Sequence, residues 1–320
     1  MLDARGRPQG VPIAVLSAAF LGLTPILGKQ AILAGLSPIG VVSARTLGAA
    51  GVLALLVLLF RRRDLAIYPL GLIGCLIAGG LNGLGSLLYY SALGRIDAGV
   101  GQMLFAFHPV FVALVLFLDG HRPRQTTLFR LALSLIAVVL LTQASARGVD
   151  WIGVLMMLGA GAFYGLHIPI NQRVLYDVPS PTVTLYTLAA MSAVVVPALL
   201  LGGGLAPAPD GSLLPVLGLT AVTLFSRLTL FAGVKSIGGM ETALLGLLQL
   251  VVALILSNMV LHESLTAWQG LGAGLLALAL LLPEGMPSSL RISRRRGWLA
   301  WLQPVSALSP FADPHEPPTD

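Results

Sequence analysis

Ala19-Phe20-Leu21-Gly22-Leu23 is followed, 143 residues later, by Ala162-Phe163-Tyr164-Gly165-Leu166, which keeps four of its five residues. Ser37-Pro38 is followed at the same distance by Ser180-Pro181. Two separate matches at one spacing indicate that the chain is built from two related halves. Sequences rich in leucine, alanine and glycine also match by chance, which is the alternative explanation.

The matching continues toward the end of each half. Val112-Ala113-Leu114 corresponds to Val252-Ala253-Leu254, here 140 residues apart, and His121 corresponds to His262. The matches keep their order from the start of each half to its end. The sequence therefore predicts an internal duplication over most of its length.

The composition indicates which solvent surrounds these halves. Apolar residues make up 56% of the chain, charged residues make up 10%, and the mean hydropathy is +0.90. A soluble protein carries about a quarter charged residues, so this chain has too few charges to cover a surface that faces water. The single cysteine, Cys75, excludes a disulfide within the chain, and no zinc-binding spacing occurs. We expect a membrane protein without a cofactor.

Apolar runs between charged or glycine- and proline-rich breaks predict ten membrane-spanning helices. A bilayer requires about 20 apolar residues per helix, and a helix satisfies its own backbone polar groups inside the lipid. The predicted runs cover about residues 10–34, 37–60, 67–91, 98–118, 127–144, 151–174, 179–201, 212–235, 239–260 and 266–283.

Five runs fall in each half, and an odd number reverses the second half relative to the membrane. The predicted fold is therefore an all-α membrane protein of about ten transmembrane helices in two inverted five-helix repeats. Such repeats place a binding site near the membrane midplane, at their interface.

This division predicts four segments. Residues 1–9 form a cytoplasmic N-terminal segment, residues 10–144 the first repeat, and residues 151–283 the second. Residues 284–320 form a cytoplasmic tail that is basic and then rich in proline. Because the basic part mixes arginine with tryptophan, we expect it either to lie on the inner membrane surface or to be disordered.

Lysine and arginine define the expected orientation. If the N-terminus is cytoplasmic, the cytoplasmic segments hold most of the basic residues, and the outer segments hold little beyond Arg95, Arg147 and Lys29. Positive charge favours the cytoplasmic side, so both termini are expected there, in a multi-pass protein of the cell (inner) membrane. The pI of about 10.0 then reflects orientation. The expected partners are a small-molecule solute and membrane lipid, not nucleic acid.

Three motifs resemble the EamA-type permeases of the drug/metabolite transporter superfamily. Ser37-Pro38 followed by Ala44-Arg45 resembles the start of the family's second span. Pro109-Val110-Phe111-Val112-Ala113-Leu114 resembles its fourth span, and His262-Glu263-Ser264-Leu265 resembles the turn before its last span. The resemblance implies a ten-span transporter whose central cavity is lined by both halves. It implies no particular substrate.

Three positions depart from the family pattern. His121-Arg122-Pro123 stands where the turn's glutamate is expected, Gln249 stands where the ninth run would have a proline, and Leu21 stands where a tryptophan is common.

Histidine next to proline marks the first candidate site. His108 precedes Pro109 in the fourth run, and His167 lies in the sixth run, one turn after Tyr164. Ionisable residues are costly in lipid and therefore point to function, and a proline can open a backbone carbonyl to a ligand. These residues are predicted to line one cavity, with helix–helix hydrogen bonds as the alternative for both histidines.

Further candidates complete the predicted solute site. Arg227 has no carboxylate partner in its own run, so it is expected to face the cavity and attract an anionic solute, or else to reach toward the headgroups. Tyr90 or Tyr89 is expected to form an aromatic wall, but adjacent helical positions face about 100° apart, so only one should point inward. Gln102 and Gln249 are neutral hydrogen-bonding groups, for which interhelical bonding is the alternative.

Charge inside the spans also limits the mechanism. No Asp or Glu falls near the middle of a predicted span, which disfavours proton coupling by a buried carboxylate. Facilitated transport, or coupling through His108 or His167, remains. The resemblance implies a structural role for Arg45 near the outer mouth of the cavity.

The predicted function is transport of small molecules, with export of amino acids or related metabolites by alternating access as the leading form. The export direction comes only from the family resemblance. The alternatives are a membrane-embedded lipid or acyl-transfer enzyme and an efflux pump for drugs or amphipathic cations. No Gly-x-Ser-x-Gly or His-x-x-x-His pattern occurs, so no enzyme is expected.

Overall fold

The computed structural model describes residues 10–120, 125–142, 150–202, 211–261 and 267–281, together with Leu299 and Leu302. Within these residues the chain forms twelve α-helices, one short 3₁₀ turn and no strand. The helices are α1 (Gly10–Leu33), α2 (Pro38–Phe60), α3 (Pro69–Leu93), α4 (Ala98–Phe105), α5 (His108–Leu118), α6 (Gln125–Thr142), α7 (Trp151–Leu175), α8 (Ser180–Leu201), α9 (Leu213–Ile237), α10 (Gly239–Gly246), α11 (Leu248–Leu261) and α12 (Ala267–Leu281).

Eight segments of the described chain are long and apolar enough to cross a membrane. Six of them are single helices, and the other two, Ala98–Leu118 and Gly239–Val260, each combine two shorter helices. The prediction of an all-helical protein with many spans is thus confirmed. Helices α6 and α12 occupy the places of the predicted fifth and tenth spans and pack against each other, so the count of ten stays a prediction.

The surface and the interior have the polarity expected in a lipid solvent. Large apolar side chains such as Phe60, Leu201 and Leu214 are mostly exposed. Polar residues such as Asn171 and Thr187 are buried, and these two hydrogen-bond to each other from adjacent helices. Because lipid tails are as apolar as leucine, polar contacts and close packing hold such a bundle together.

Helices from the two halves of the sequence interleave. The most extensive packing joins α1 to α9 and α3 to α7, and each pair takes one helix from each half. Following the duplication, we group α1, α2, α9 and the α10–α11 span as the first bundle, and α3, the α4–α5 span, α7 and α8 as the second. Helices α2 and α8 also pack extensively against each other, across the seam between the two bundles. Exchanging the halves converts one bundle into the other, so the main seam runs between mixed bundles and not between the halves themselves.

The glycine in the duplicated stretch makes the same contact in both bundles. A Cβ on Gly22 in α1 would lie 2.6 Å from the Val252 Cβ in α11, and a Cβ on Gly165 in α7 would lie 2.6 Å from the Phe111 Cβ in α5. In each bundle a backbone carbonyl, of Gln249 or of His108, would lie 2.9 Å away. Only glycine permits this approach, which explains why the duplicated stretch keeps it.

The fourth predicted run is not one continuous helix, because α4 ends at Phe105 and α5 begins at His108. Pro109 has no amide hydrogen, so it cannot donate to the Phe105 carbonyl one turn earlier. The His108 Nδ1 lies 3.1 Å from that oxygen and takes the place of the missing donor.

The ninth predicted run is broken at the equivalent place, between α10 and α11. The amide of Leu247 donates to the Leu244 carbonyl at 3.0 Å, and the amide of Leu250 donates to the Leu247 carbonyl at 2.9 Å. These bonds span three residues instead of four, as in a 3₁₀ turn. Gln249 stands where the proline would be, so the duplicated break does not depend on a proline.

Lysines of the first bundle hydrogen-bond to carbonyls of the second bundle at both ends of the seam. Lys29 Nζ donates to the carbonyls of Leu93 and Ile96 at 2.7 and 2.9 Å. Lys235 Nζ donates to the Val178 carbonyl at 2.9 Å. We refer to the two ends of the molecule as the Lys29 end and the Lys235 end.

The start of α7 lies at the Lys29 end. The Asp150 carboxylate accepts hydrogen bonds from the Gly153 amide at 3.0 Å and from Arg95 Nη1 at 3.1 Å. These two donors hold the pKa of the Asp150 carboxyl below its ordinary value. The charged carboxylate thereby caps α7 and ties it to the turn after α3.

A buried ion pair and two residues of the tail meet at the Lys235 end. Asp119, which ends α5, pairs with Arg173 of α7, and both side chains are almost fully buried. The Leu299 amide donates to Asp119 Oδ1 at 2.9 Å. The Tyr68 hydroxyl, whose pKa burial raises above its ordinary range, donates to the Leu302 carbonyl at 3.2 Å.

Leu299 and Leu302 are themselves buried against the bundle. For these two residues the structure shows a docked position against the helices, and the prediction that the basic tail lies on the inner membrane surface stays a prediction. The remainder of the tail lies outside the described residues, as do His121 and His262.

Candidate functional site

A cavity lies on the seam, about halfway along the spans. Its empty core measures about 50 Å³, which holds a few water molecules and no amino acid. Both bundles and both halves of the sequence line it. The lining residues are Leu21, Thr24, Arg45, Asn82, Gly85, Ser86, Tyr89, Tyr90, Gln102, Phe105, Ala160, Tyr164, Ser226, Arg227 and Gln249.

Arg45 is the first of two arginines in this cavity and projects from α2. Its Nη1 donates to Thr223 Oγ1 of the same bundle, and its Nη2 donates to Ser86 Oγ of the other bundle, both at 3.1 Å. The guanidinium carbon lies 4.7 Å from the ring centroid of Tyr90, a cation–π distance. Arg45 therefore lies inside the cavity, although the family resemblance implied a structural role near the outer mouth.

Arg227 projects from α9 and bridges the seam in the same way. Its Nη2 donates to Asn82 Oδ1 at 3.2 Å, and its Nη1 lies 3.3 Å from His167 Nε2. Its guanidinium carbon lies 5.6 Å from the Tyr164 ring. Since arginine can only donate, His167 Nε2 accepts, which assigns the ring proton to Nδ1, facing the Tyr164 carbonyl.

The second bundle supplies an aromatic wall. Tyr89 and Phe105 meet edge to face at 5.2 Å, and the Phe105 and Tyr164 rings lie 5.0 Å apart. Tyr90 also lines the cavity, so both adjacent tyrosines contribute where the sequence predicted one. The reason is that a wide face of α3 lines the cavity. Its lining residues lie three, four, seven and eight positions after Asn82, which is the spacing of a typical buried helix face.

Several polar atoms in the cavity wall are buried and have no hydrogen-bond partner among the described residues. They are Arg45 Nε, the Tyr90 hydroxyl, Gln102 Nε2 and Gln249 Nε2. Gln102 uses its other amide atom to accept a bond from the Tyr89 hydroxyl at 3.1 Å. These four atoms can still donate a hydrogen bond that no described residue accepts.

The two histidines and Pro109 lie behind the wall and do not line the cavity. The His108 ring meets the Tyr164 ring edge to face at 5.1 Å, and the His167 ring lies 4.7 Å from it. His108 hydrogen-bonds to the Phe105 carbonyl at the break between α4 and α5, and His167 hydrogen-bonds to Arg227. Both histidines therefore contact residues of the cavity wall, not its interior.

The other predicted residues, Tyr90, Gln102, Tyr164, Arg227 and Gln249, do lie together on the cavity wall. Asn82 and Ser86, which are neutral hydrogen-bonding groups like Gln102 and Gln249, also line the cavity, and so does Arg45, for which the resemblance implied a place near the outer mouth. Arg45, like Arg227, has no acidic residue in its own run. Applying to Arg45 the rule used for Arg227 would have found it.

The arrangement defines a class of protein. Long apolar helices surround a polar and aromatic cavity, as in a multi-pass α-helical membrane protein. The chain belongs to the EamA-like transporter family, whose sequence pattern matches residues 8–143 and again residues 151–283. The double match confirms the internal duplication and the family resemblance, and it is consistent with a protein that is not an enzyme.

One solved crystal structure is similar over 85% of this chain and 94% of its own, with a TM-score of 0.67 and 20% identity. At that identity the likeness shows the fold alone. A comparison with curated proteins gave no match.

Proposed function

We propose that the protein is a small-molecule transporter that binds its solute in the cavity on the seam and exposes it to one side of the membrane at a time. In its leading form it exports amino acids or related metabolites. The export direction rests on the family resemblance.

The observation that carries this proposal is the buried cavity itself. It is shared by two bundles that exchange under the internal duplication, and its wall carries unpartnered polar atoms. The core of about 50 Å³ is too small for an amino acid, so a solute can enter only if the bundles move apart. With lysine contacts at both ends, opening one end while the other stays closed gives alternating access.

The proposed topology has ten spans in two inverted repeats, in the cell (inner) membrane. Both termini are cytoplasmic, which places the Lys235 end in the cytoplasm and the Lys29 end outside. Impermeant labelling of single cysteines, in a Cys75→Ala background, tests this at Arg63 and Arg95, which lie at opposite ends. Labelling of both from the same side contradicts it.

The decisive experiment is uptake into proteoliposomes. Purified protein is screened against amino acids, sugars and amphipathic cations, with and without a pH gradient, beside liposomes without protein. Saturable uptake of one solute class supports the proposal. Absence of flux for every class, from protein that is folded and binds a solute, contradicts it.

Coupling to protons through histidine is a separate proposal. His108 and His167 both contact the Tyr164 ring, so a charge on either ring acts on the cavity wall. If a pH gradient drives transport, the His108→Gln/His167→Gln double variant is expected to keep downhill flux and lose the response to the gradient. An unchanged response eliminates histidine coupling.

The cavity argues against an efflux pump for cations. Two guanidinium groups line it, and none of its lining residues is acidic. A cationic drug would therefore meet repulsion in a low-dielectric site, where charge interactions are strongest.

A further inference from the structure

The two arginines of the cavity have no acidic residue beside them in the part of the chain that the structure describes. Every hydrogen bond that the structure gives the side chains of Arg45 and Arg227 has a neutral partner: Thr223, Ser86, Asn82 or His167. Elsewhere the fold does neutralise a buried arginine, because Arg173 pairs with Asp119. Among the residues that the structure describes, the cavity wall therefore carries two positively charged side chains and no negatively charged one.

Leaving charges in this state is costly. Both arginines are 5% exposed, and arginine stays protonated in proteins. A buried charge requires a partner to offset the loss of hydration, and two like charges in one site repel each other. Ionisable groups kept at such a cost inside a membrane mark the path of a substrate.

The unpartnered polar atoms of the cavity wall also favour an anion, because they are hydrogen-bond donors. Arg45 Nε, Gln102 Nε2 and Gln249 Nε2 can only donate, and the Tyr90 hydroxyl can donate as well. An oxyanion accepts hydrogen bonds and donates none, so it matches this set. An ammonium group would require acceptors, whereas each fully buried unpartnered atom of the cavity wall is a donor.

We infer that the cavity selects a small organic anion, with a carboxylate or phosphate group held between Arg45 and Arg227 and an apolar or aromatic body against Tyr89, Phe105 and Tyr164. This inference rests on the proposed transport function and narrows it: solutes of net negative charge are preferred to zwitterionic amino acids and to cations.

The geometry also indicates what the anion replaces. Both arginines belong to the first bundle, and Ser86, Asn82 and His167 belong to the second. Hydrogen bonds from a guanidinium to an oxyanion are about twice as strong as bonds to neutral groups. The anion therefore takes donors away from contacts that cross the seam, so its binding weakens the direct contact between the bundles.

The test uses compounds that share one side chain and differ in charge state. The probes are N-acetylphenylalanine (anion), phenylalanine (zwitterion), N-acetylphenylalanine amide (neutral) and phenylalanine amide at pH 6 (cation), with phenyl phosphate to distinguish phosphate from carboxylate. Binding to purified wild-type protein is measured by the shift of its melting temperature with ligand concentration. The same series with glycine as the body controls for size.

We expect an anion to bind most tightly in at least one of the two series or as phenyl phosphate. Arg45→Gln and Arg227→Gln should each weaken that binding by about 10- to 100-fold, the effect of losing one charged hydrogen-bonding group. Arg227→Lys should recover part of the loss because it keeps the charge. Arg62→Gln is the control, since Arg62 is exposed outside the cavity and donates, among the described residues, to the Leu58 carbonyl near the end of α2.

Three results overturn the inference: a zwitterion or cation that binds better than every anion, equal binding of the anion and the neutral amide, or unchanged anion binding in both arginine variants. Failure of the inference is distinguishable from failure of transport. If proteoliposomes take up amino acids but anions neither bind nor compete, the transport function holds and the anion preference is wrong. If anions bind but no solute crosses, the anion site holds and the transport function is wrong.

Discussion

Gly22 and Gly165 show how much a single residue contributes to this fold. Each lies where two helices of one bundle approach so closely that a Cβ would come within 2.6 Å of a neighbouring side chain and 2.9 Å of a carbonyl. Gly51 and Gly80 lie in α2 and α3 with no such neighbour within 4 Å. The chain therefore offers matched glycines that differ only in packing.

Gly22→Ala and Gly165→Ala should each destabilise the protein by about 1–3 kcal/mol, because the backbone on the facing helix must move. Gly51→Ala and Gly80→Ala should be neutral or stabilise by about 0.5–1 kcal/mol, because alanine favours the helix. Thermal unfolding of the four purified variants in detergent measures the difference. Equal effects in all four would show that the close approach is unimportant.

Some cavity residues were predictable from the sequence, because their side-chain type is unusual inside a membrane span. Arg227 and Tyr164 stood out because charge and aromatic groups deep in a span require a reason. Tyr89 could not be assigned, since a periodicity of 3.6 residues says which positions share a face but not how wide the cavity is. Pro109 and His108 were predicted to line the cavity, but they serve the helix break behind its wall.

At the level of helices, the Asp119–Arg173 pair joins the end of α5 to α7 and also receives the Leu299 amide. Both side chains are at most 1% exposed. The Arg95–Asp150 pair at the opposite end is partly exposed and links the turn after α3 to the start of α7. The protein therefore contains one buried ion pair and one partly exposed ion pair, whose contributions to stability can be compared.

Asp119→Asn or Arg173→Met alone should destabilise the protein by about 3–5 kcal/mol, because each removes one of the two opposite charges from a buried ion pair. The double variant should lose less than the sum of the two. Arg95→Gln should have little effect, as is usual for an exposed pair. Thermal unfolding measures all four variants, and additive losses in the double variant would show that the two residues are not coupled.

The tail can be tested separately. Leu302 is fully buried, so Leu302→Asp places a charge among apolar neighbours and should release this part of the tail. The expected result is a lower melting temperature and faster proteolysis of the tail. The conservative change Leu302→Met, which keeps the volume, is the control, and equal proteolysis of both variants contradicts the docked position.

For the molecule as a whole, the proposed alternating access predicts that the lysine contacts at the two ends control which side opens. Lys29→Met removes hydrogen bonds across the seam at one end, and Lys235→Met removes one at the other. A cysteine at Ser86, in a Cys75→Ala background, reports access to the cavity. We expect several-fold faster labelling of this cysteine from the Lys29 side in Lys29→Met, and from the Lys235 side in Lys235→Met.

Membrane vesicles of both orientations and an impermeant thiol reagent give this measurement. Lys29→Arg and Lys235→Arg keep the charge and a donor, so they should label like the parent protein. Faster labelling from the same side in both methionine variants would contradict separate closure of the two ends.

The amino-acid sequence by itself determined that the chain is helical, lies in a membrane and is duplicated, because hydropathy, run length and repeated residues are local properties that need no partner to be read. Only the tertiary structure decided that helices of the two halves mix into two bundles, that the ninth run breaks without a proline, and that Arg45 shares a cavity with Arg227. These features depend on which helices touch, and helices with nearly uniform apolar surfaces carry little sequence information about their neighbours. The glycine of the duplicated stretch belongs to both lists: its repetition is visible in the sequence, but the contact that requires it forms only between folded helices.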